Sequence, residues 1–468
     1  MGENESYILY PIKKFVESYV GKKSIRLHMP GHKGQFGYEE DITEIPGADS
    51  LYMADGIIAE SEQKTADLFG SRRTCYGTEG ASQIIKAMCY MATKNYYEKK
   101  GMLAKKPIIL AARNAHKSFI HAAALLEFDI KWMYPEKTEG RYSICKCDIT
   151  PERLQSYIDE IEGEEYLDRI AAVYITSPDY LGNMLDVEGL ARVAHDHDLL
   201  LLCDNAHGSY LRFLKEDLHP ISLGADIVAD SAHKTLPVLT GGAYLHISNK
   251  APEGIEDSAK KAMLMFGSTS PSYPILKSLD ELTEKIKEAD FARAEKYVGE
   301  LKNILPCLDG EPFKITIPVY KLGLDGREVA EKLRRANMEI EYADPDYVVT
   351  MWSPYNKFPV ESIWFKRIVN EIVENAKGSL EAEFADIGVK QLDCRPRVRY
   401  QPYEVLYTSS ETVDVDRGII GRIAADSIAP CPPAILPVVV GEMIDEDVLE
   451  ILRYYGVKTI DVLKLARG

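Results

Sequence analysis

Long uninterrupted apolar runs are missing from this 468-residue sequence. None reaches the roughly 18 residues that a membrane-spanning helix needs. The N-terminal stretch MGENESYILYPIKKF lacks the apolar centre of a secretory signal, and Met1-Gly2 followed by Ser6 only brushes a myristoylation pattern. The expectation is a cytoplasmic protein with no membrane partner. A basic excess is missing too: 56 Lys and Arg stand against 73 Asp and Glu, a formal charge of −17. That balance excludes a phosphate-backbone binder, which needs clustered cations, and reads as plain solubility. No CxxC pair exists among Cys75, Cys89, Cys145, Cys147, Cys203, Cys307, Cys394 and Cys431. Cys145 and Cys147 apart, these are scattered, so no metal site and no redox motif is expected, only reduced thiols. Internal repeats and low-complexity segments are also lacking.

What is present is an alternation of helix-like and strand-like segments from about residue 65 to 250. Gln83 to Thr93 predicts a helix, and Val187, Leu190, Val193 and Ala194 recur at helical spacing. Pro107 to Ala112, Ile170 to Thr176, Leu199 to Cys203, Ile227 to Ala229 and Gly242 to Ile247 predict strands, several of them continuous apolar runs. That order implies an α/β fold with a mostly parallel sheet between helices. Ser278 to Leu301 predicts one long charged helix, and Lys314 to Ala376 a strand, a helix, short strands around Glu339 and Val348, and a further helix. The domain reading is an N-terminal arm over 1–40, a large domain over 41–277, a linker helix with a small α+β domain over 278–385, and a C-terminal extension over 386–468.

Ligand sites of open parallel sheets lie beyond the carboxyl ends of the strands. Three polar clusters fall at such ends: Arg113-Asn-Ala-His116-Lys117-Ser118, Asp204-Asn-Ala-His207-Gly208 and Asp230-Ser-Ala-His-Lys234-Thr. A fourth, Gly77-Thr-Glu-Gly-Ala-Ser-Gln83, opens a helix, where unsatisfied N–H groups and the helix dipole favour a phosphate. Together they match the parts list of a pyridoxal-phosphate (PLP) site. An amine forms the Schiff base, which suits Lys234. A carboxylate pairs with the pyridine nitrogen, which suits Asp204. The Gly80–Gln83 loop with Ser231 suits the phosphate, and His116 suits the planar cover of the ring. Taken singly, each has a plainer reading: a solvated lysine, a capping aspartate, a structural histidine, a Gly-rich turn. Their joint order carries the argument.

At this point the chain resembles the fold-type I ornithine/lysine/arginine decarboxylase family, related in fold to aspartate aminotransferase, from about residue 24 to the end. It lacks the N-terminal wing domain of longer members. The likeness is carried by Leu27-His-Met-Pro-Gly-His-Lys-Gly34, Asp41-Ile-Thr-Glu-Ile-Pro-Gly47, the His116 segment, Ser177-Pro-Asp-Tyr-Leu-Gly182, the Asp204 and Lys234 segments, Ser268-Thr-Ser-Pro-Ser272, Pro432-Pro-Ala-Ile-Leu-Pro437 and Gly441-Glu442. It implies Lys234 as the Schiff-base lysine, Asp204 at the ring nitrogen, His116 stacked on the ring and His207 beside it. It implies Ala81, Ser82, Ser231 and His233 at the phosphate. Thr269 or Ser270 resembles a residue lent to the phosphate by a second subunit, hence a homodimer with shared sites. The implied reaction is α-decarboxylation of arginine, lysine or ornithine to a polyamine-pathway amine.

The chain also departs from the family pattern. Glu79 and Ala81 alter the phosphate loop, Gly241 stands where a Gln is frequent, Asp179 where Thr is common, and Ser50 replaces the second acid of an Asp-Asp-Leu pattern. A basic substrate needs an opposing carboxylate, and Asp49, Glu79, Asp179 and Glu404 are the candidates. Two other readings remain: another fold-type I reaction, for instance an aminotransferase gripping a carboxylate through Arg395, Arg397 or Arg399, and a catalytically silent paralogue with a binding role.

Overall fold

The apolar runs of the sequence become strands buried along their length. In the computed structural model, which describes residues 10–135, 147–162, 167–377, 395–427 and 436–464, they are β1 (Arg73–Gly77), β2 (Ile108–Ala112), β3 (Asp129–Met133), β4 (Ile170–Thr176), β5 (Leu200–Asp204), β6 (Ile227–Asp230), β7 (Ala243–Ile247), β8 (Lys314–Pro318), β9 (Tyr342–Ala343), β10 (Tyr347–Met351), β11 (Ser410–Asp414) and β12 (Thr459–Leu463). Every residue of β2, β5, β6 and β7 is buried, the signature of a sheet covered on both faces. Cys145, Cys394, Cys431, the Met1-Gly2/Ser6 pattern and residues 432–435 of the Pro432 motif lie outside the described residues. Cys75, Cys89, Cys147, Cys203 and Cys307 are free thiols.

The chain divides into two compact units, residues 1–104 with 194–289, and residues 105–193 with 290–468. In the first unit the strands lie in the order β1-β7-β6-β5. β5 and β6 are parallel, with Asp204 opposite Ala229, and β7 runs antiparallel to both β6 and β1. Helix Ala81–Lys100 packs on β5, β6 and β7 through a face that includes Ile84, Met88 and Met91. Each such side chain contributes about 1.5–3 kcal/mol when fully buried. The helix starts earlier and ends later than its apolar spacing predicts. Gly80, at φ +68°, turns the chain into it, no Pro or Gly interrupts it, and Lys99 and Lys100 complement the dipole at its end. The arm carries a helix of its own, Pro11–Gly21, which buries Ile12 and Val16; the Lys13 N–H donates to Asp280 at 2.9 Å.

In the second unit β2 is parallel to both β4 and β3, in the order β4-β2-β3. The mostly parallel α/β sheet expected from the sequence is present; β7 is its reversed strand, opposed to both β6 and β1, so β1 runs in the same direction as β6. Strands β8-β10-β9 form a small antiparallel sheet with helices Gly326–Arg335 and Val360–Lys377, and β11 pairs with β12. The strand anticipated around Glu339 forms at Tyr342–Ala343. The single helix anticipated over Ser278–Leu301 is a correction: the chain forms Tyr273–Asp280, Leu282–Lys285, a 3₁₀ turn at Ile286–Glu288 and Phe291–Ile304. Asp290 leaves helical geometry (φ −94°, ψ 80°) and its carboxylate accepts the Arg293 N–H at 2.9 Å. An N-cap inside a charged stretch is invisible to helical periodicity.

One ion pair ties the late chain to the strand that precedes His116. Arg113 (3% exposed) meets Glu442 (1%) in a bidentate pair, Nη1 to Oε1 at 2.6 Å and Nη2 to Oε2 at 2.8 Å. The Leu436 carbonyl accepts a further bond at 3.2 Å, the Val439 N–H donates to Glu442 at 2.7 Å, and the guanidinium lies 4.9 Å from the Trp132 ring. Removing one member of such a pair leaves the other charge buried. Glu442→Gln is therefore expected to cost about 3–5 kcal/mol in urea unfolding, and the double variant Arg113→Met/Glu442→Leu to recover most of it.

Candidate active site

The strand ends of the first unit place the predicted groups together. β5 ends in Asp204, 2% exposed, whose Oδ1 accepts the Ala206 N–H at 3.1 Å. β6, its parallel neighbour, ends in Asp230. Ser231 then leads into a short helical turn, Ala232–Thr235, that carries Lys234, without a side-chain capping bond. The Lys234 side chain is exposed, and its Nζ lies 3.1 Å from Nε2 of His207, which is buried on the loop that leaves β5. A lysine amine, a histidine and a buried carboxylate thus belong to two adjacent strand ends.

The predicted phosphate loop is built against the segment that follows Lys234. The Gly80 N–H donates to the Gly241 carbonyl at 2.8 Å, and a side chain at Gly241 (φ +98°) would place its Cβ 2.7 Å from the Thr78 carbonyl oxygen. Only glycine meets both demands. His233 packs beside the loop: its Nδ1 is 3.0 Å from the Gly242 carbonyl, so that nitrogen donates, and a Cβ at Gly80 would sit 3.8 Å from its Cε1. No side chain caps the first turn of helix Ala81–Lys100, and Ser82 is exposed there. An uncapped helix start, an exposed hydroxyl, a nearby imidazole and an exposed amine suit a phosphate-bearing aldehyde, so the residues present fit PLP. Gln83 is turned away from this role. It is buried, and its Nε2 donates to Tyr52 Oη at 3.1 Å and to the Met263 carbonyl at 2.8 Å. Thr269 is exposed on the segment after Gly267.

The candidate substrate carboxylates differ sharply. Asp49 receives the N–H groups of Ser50, Asp55, Gly56 and Ile58 at 2.7–3.3 Å, a clamp on the loop that enters helix Ile57–Phe69. Glu79 is exposed, and among the described residues no group hydrogen-bonds or ion-pairs with it. In the second unit, Glu404 closes a capping box by accepting the Gln401 N–H at 2.7 Å. Asp179 is buried and receives Leu181 N–H, Asn183 N–H and Asn183 Nδ2 at 2.9, 2.9 and 2.7 Å. His116 stands at the N-cap of helix Lys117–Leu126, where its Nδ1 accepts the Ser118 N–H at 3.2 Å. A neutral ring then carries its proton on Nε2. Arg395, Arg397 and Arg399 are all exposed. The sequence reading gave no role to Asp230 or Gly241. Asp230 is one residue from Ser231 and was visible as an acid at a strand end; the histidines it meets are distant in sequence and carried no signal.

The chain is similar to known proteins along most of its length. A profile of the family described as "Orn/Lys/Arg decarboxylase, major domain" matches residues 10–300. The uncharacterized protein YaaO of Bacillus subtilis is 26% identical over 484 aligned positions, covering 96% of this chain and 95% of its own. The arginine decarboxylase of the same organism is 25% identical over 485 positions, covering 96% and 93%. Among solved structures, lysine decarboxylase A from Pseudomonas aeruginosa superposes with a TM-score of 0.75 at 18% identity, covering 98% of this chain and 81% of that one, which shows a shared fold.

Burial pushes the Asp179 carboxyl up to about 6, against the pull of Asn183 and Lys314. The folded chain holds this proton more tightly than the unfolded chain, whose carboxyl titrates near 4. The contribution to stability is therefore complete below pH 4 and is lost as pH rises through 6. Relative to Asp179→Asn, the wild-type chain is expected to lose about 2 kcal/mol of unfolding free energy between pH 4 and pH 7, read from paired urea titrations.

Proposed function

Because the chain belongs to the Orn/Lys/Arg decarboxylase family and is a PLP-dependent decarboxylase, we propose that it removes the α-carboxylate of a basic amino acid, arginine, lysine or ornithine, to give CO2 and the corresponding polyamine-pathway amine. The observation that carries this reading is the Lys234 amine 3.1 Å from His207, one strand end away from the buried Asp204. PLP, when bound, supplies the electron sink for the pair left behind as the carbon–carboxylate bond breaks.

The chain's own residues do the rest. Lys234 offers the amine that holds the cofactor, and His207 Nε2 exchanges a proton with that Nζ as the amine is released and recovered. Asp204, shielded from water, keeps a proton on the pyridine nitrogen, because an ionised carboxylate in a dry site favours a cation beside it. Ser82, Ser231, His233 and the N–H groups at the start of helix Ala81–Lys100 hold the phosphate, with Ala81 leaving room at the first turn. Glu79, exposed and without a partner among the described residues, is the candidate best placed to meet a substrate cation.

Purified protein supplied with PLP and offered arginine, lysine and ornithine separately is expected to yield agmatine, cadaverine or putrescine at catalytic turnover, identified by mass. Lys234→Ala abolishes that turnover, and Asp204→Asn lowers kcat on the order of a hundredfold. Absence of all three amines, with the cofactor still bound, sinks the basic-substrate assignment. We extend the proposal to a homodimer. Ile25 (87% exposed), Leu27 (90%) and Phe36 (85%) leave apolar side chains in water near the arm, the kind of surface a second copy covers. Light scattering of the purified protein is expected to give twice the chain mass or a multiple of it, and a monomer overturns this extension.

A further inference from the structure

Next to the strand ends, β6 and β7 enclose a polar cluster that no step above uses. His219, Asp230 and His246 are all 0% exposed. Asp230 Oδ2 lies 3.0 Å from His219 Nε2 and 3.4 Å from His246 Nε2, and its Oδ1 accepts Asn205 Nδ2 at 2.7 Å. Three potential ligand atoms within 4.8 Å of one another have the make-up of a metal centre. The protons argue against one. The Ile221 N–H points at His219 Nδ1 from 3.2 Å, so that nitrogen accepts and Nε2 carries the hydrogen it donates to Asp230. On the other side Ser71 Oγ is 2.8 Å from Thr74 Oγ1, which is 2.8 Å from His246 Nδ1. With the Thr74 hydroxyl donating to Nδ1, the His246 Nε2–H faces Asp230 across 3.4 Å, an electrostatic contact outside hydrogen-bond geometry. A metal-bound histidine has the opposite polarity, with its outer nitrogen donating.

Asp230 is thus a buried anion surrounded by N–H donors. Burial alone would raise its carboxyl, yet the facing His219 and His246 hold it well below the usual carboxylate range. Burial keeps His246 below its ordinary value, partly offset by Asp230. A carboxylate so placed is costly unless every donor stays aligned. The group it aligns is Asn205, whose own N–H donates to the Ala229 carbonyl at 2.9 Å. Asn205 directly follows Asp204, and Asp230 directly precedes Ser231 on the turn that bears Lys234.

We propose that Asp230, held by His219 and His246, is a positioning residue that locks Asp204 and Lys234 into register through Asn205. The inference rests on the assignment of those two residues to the cofactor. Borohydride reduction of the wild-type protein with PLP, followed by peptide mass spectrometry, tests that assignment: failure to label Lys234 overturns it and this inference together. With Lys234 labelled, two variants test the inference itself. Asp230→Asn sets an amide donor against donors, and Asn205→Ala removes the side-chain bond from Asp230 to the residue after Asp204 while leaving the histidines in place. Each is expected to weaken PLP binding about tenfold in an absorbance titration, to shift the visible band of the Lys234-linked cofactor, and to lower kcat about tenfold with KM within about twofold. If Asp230→Asn fails to fold, Asn205→Ala alone decides. Wild-type affinity and band in the folded variants, or one equivalent of zinc per chain in the purified wild-type protein, overturns the proposal.

Discussion

A strand buried on both faces can carry a polar side chain only where a partner inside the protein or a ligand meets it, and the site end of this molecule follows from that constraint. β5 and β6 lie side by side, apolar until their last residues, Asp204 and Asp230. Each terminal carboxylate is buried, so each must find donors within the protein or a ligand that supplies them. Asp230 finds them in His219 and Asn205, with His246 facing it at 3.4 Å. Asp204 receives the Ala206 N–H, and in the proposed reading its further partner is the ring of the cofactor.

The parts of this design written in local order were readable before the structure. Continuous apolar runs such as Leu199 to Cys203 announced buried strands, and the polar residues immediately after them announced a ligand-facing edge. Lys234, Asp204, His207 and the Gly80 loop could be named because each is a property of a few consecutive residues. The break at Asp290 was not readable, since a cap competes with helix propensity through a single side-chain bond. Strands β1 and β7 show a related limit: nothing in five consecutive residues declares whether a neighbour will run parallel or antiparallel.

Substrate carboxylates were the hardest to read, for a physical reason. An aspartate or glutamate at a loop has two competing uses, binding a ligand and binding its own backbone, and both favour the same residue type. Asp49, Asp179 and Glu404 each spend their oxygens on nearby N–H groups. Sequence separations of one to nine residues hide those bonds, because they depend on the turn the loop adopts. The clamp on Gly241 belongs to the same class. Its absent side chain looked like a departure in sequence and is a consequence of the Thr78 carbonyl lying where a Cβ would be.

The pairing of Arg113 with Glu442 joins residues 329 positions apart. A chain made from its N-terminus at about 5–20 residues per second exposes Arg113 long before its partner exists. During that interval the guanidinium has no buried carboxylate to meet and stays with water. The strand end that leads to His116 therefore gains its buried partner only after residue 442 has been made, and a fragment that stops short of it carries a cation where the longer chain has a buried ion pair.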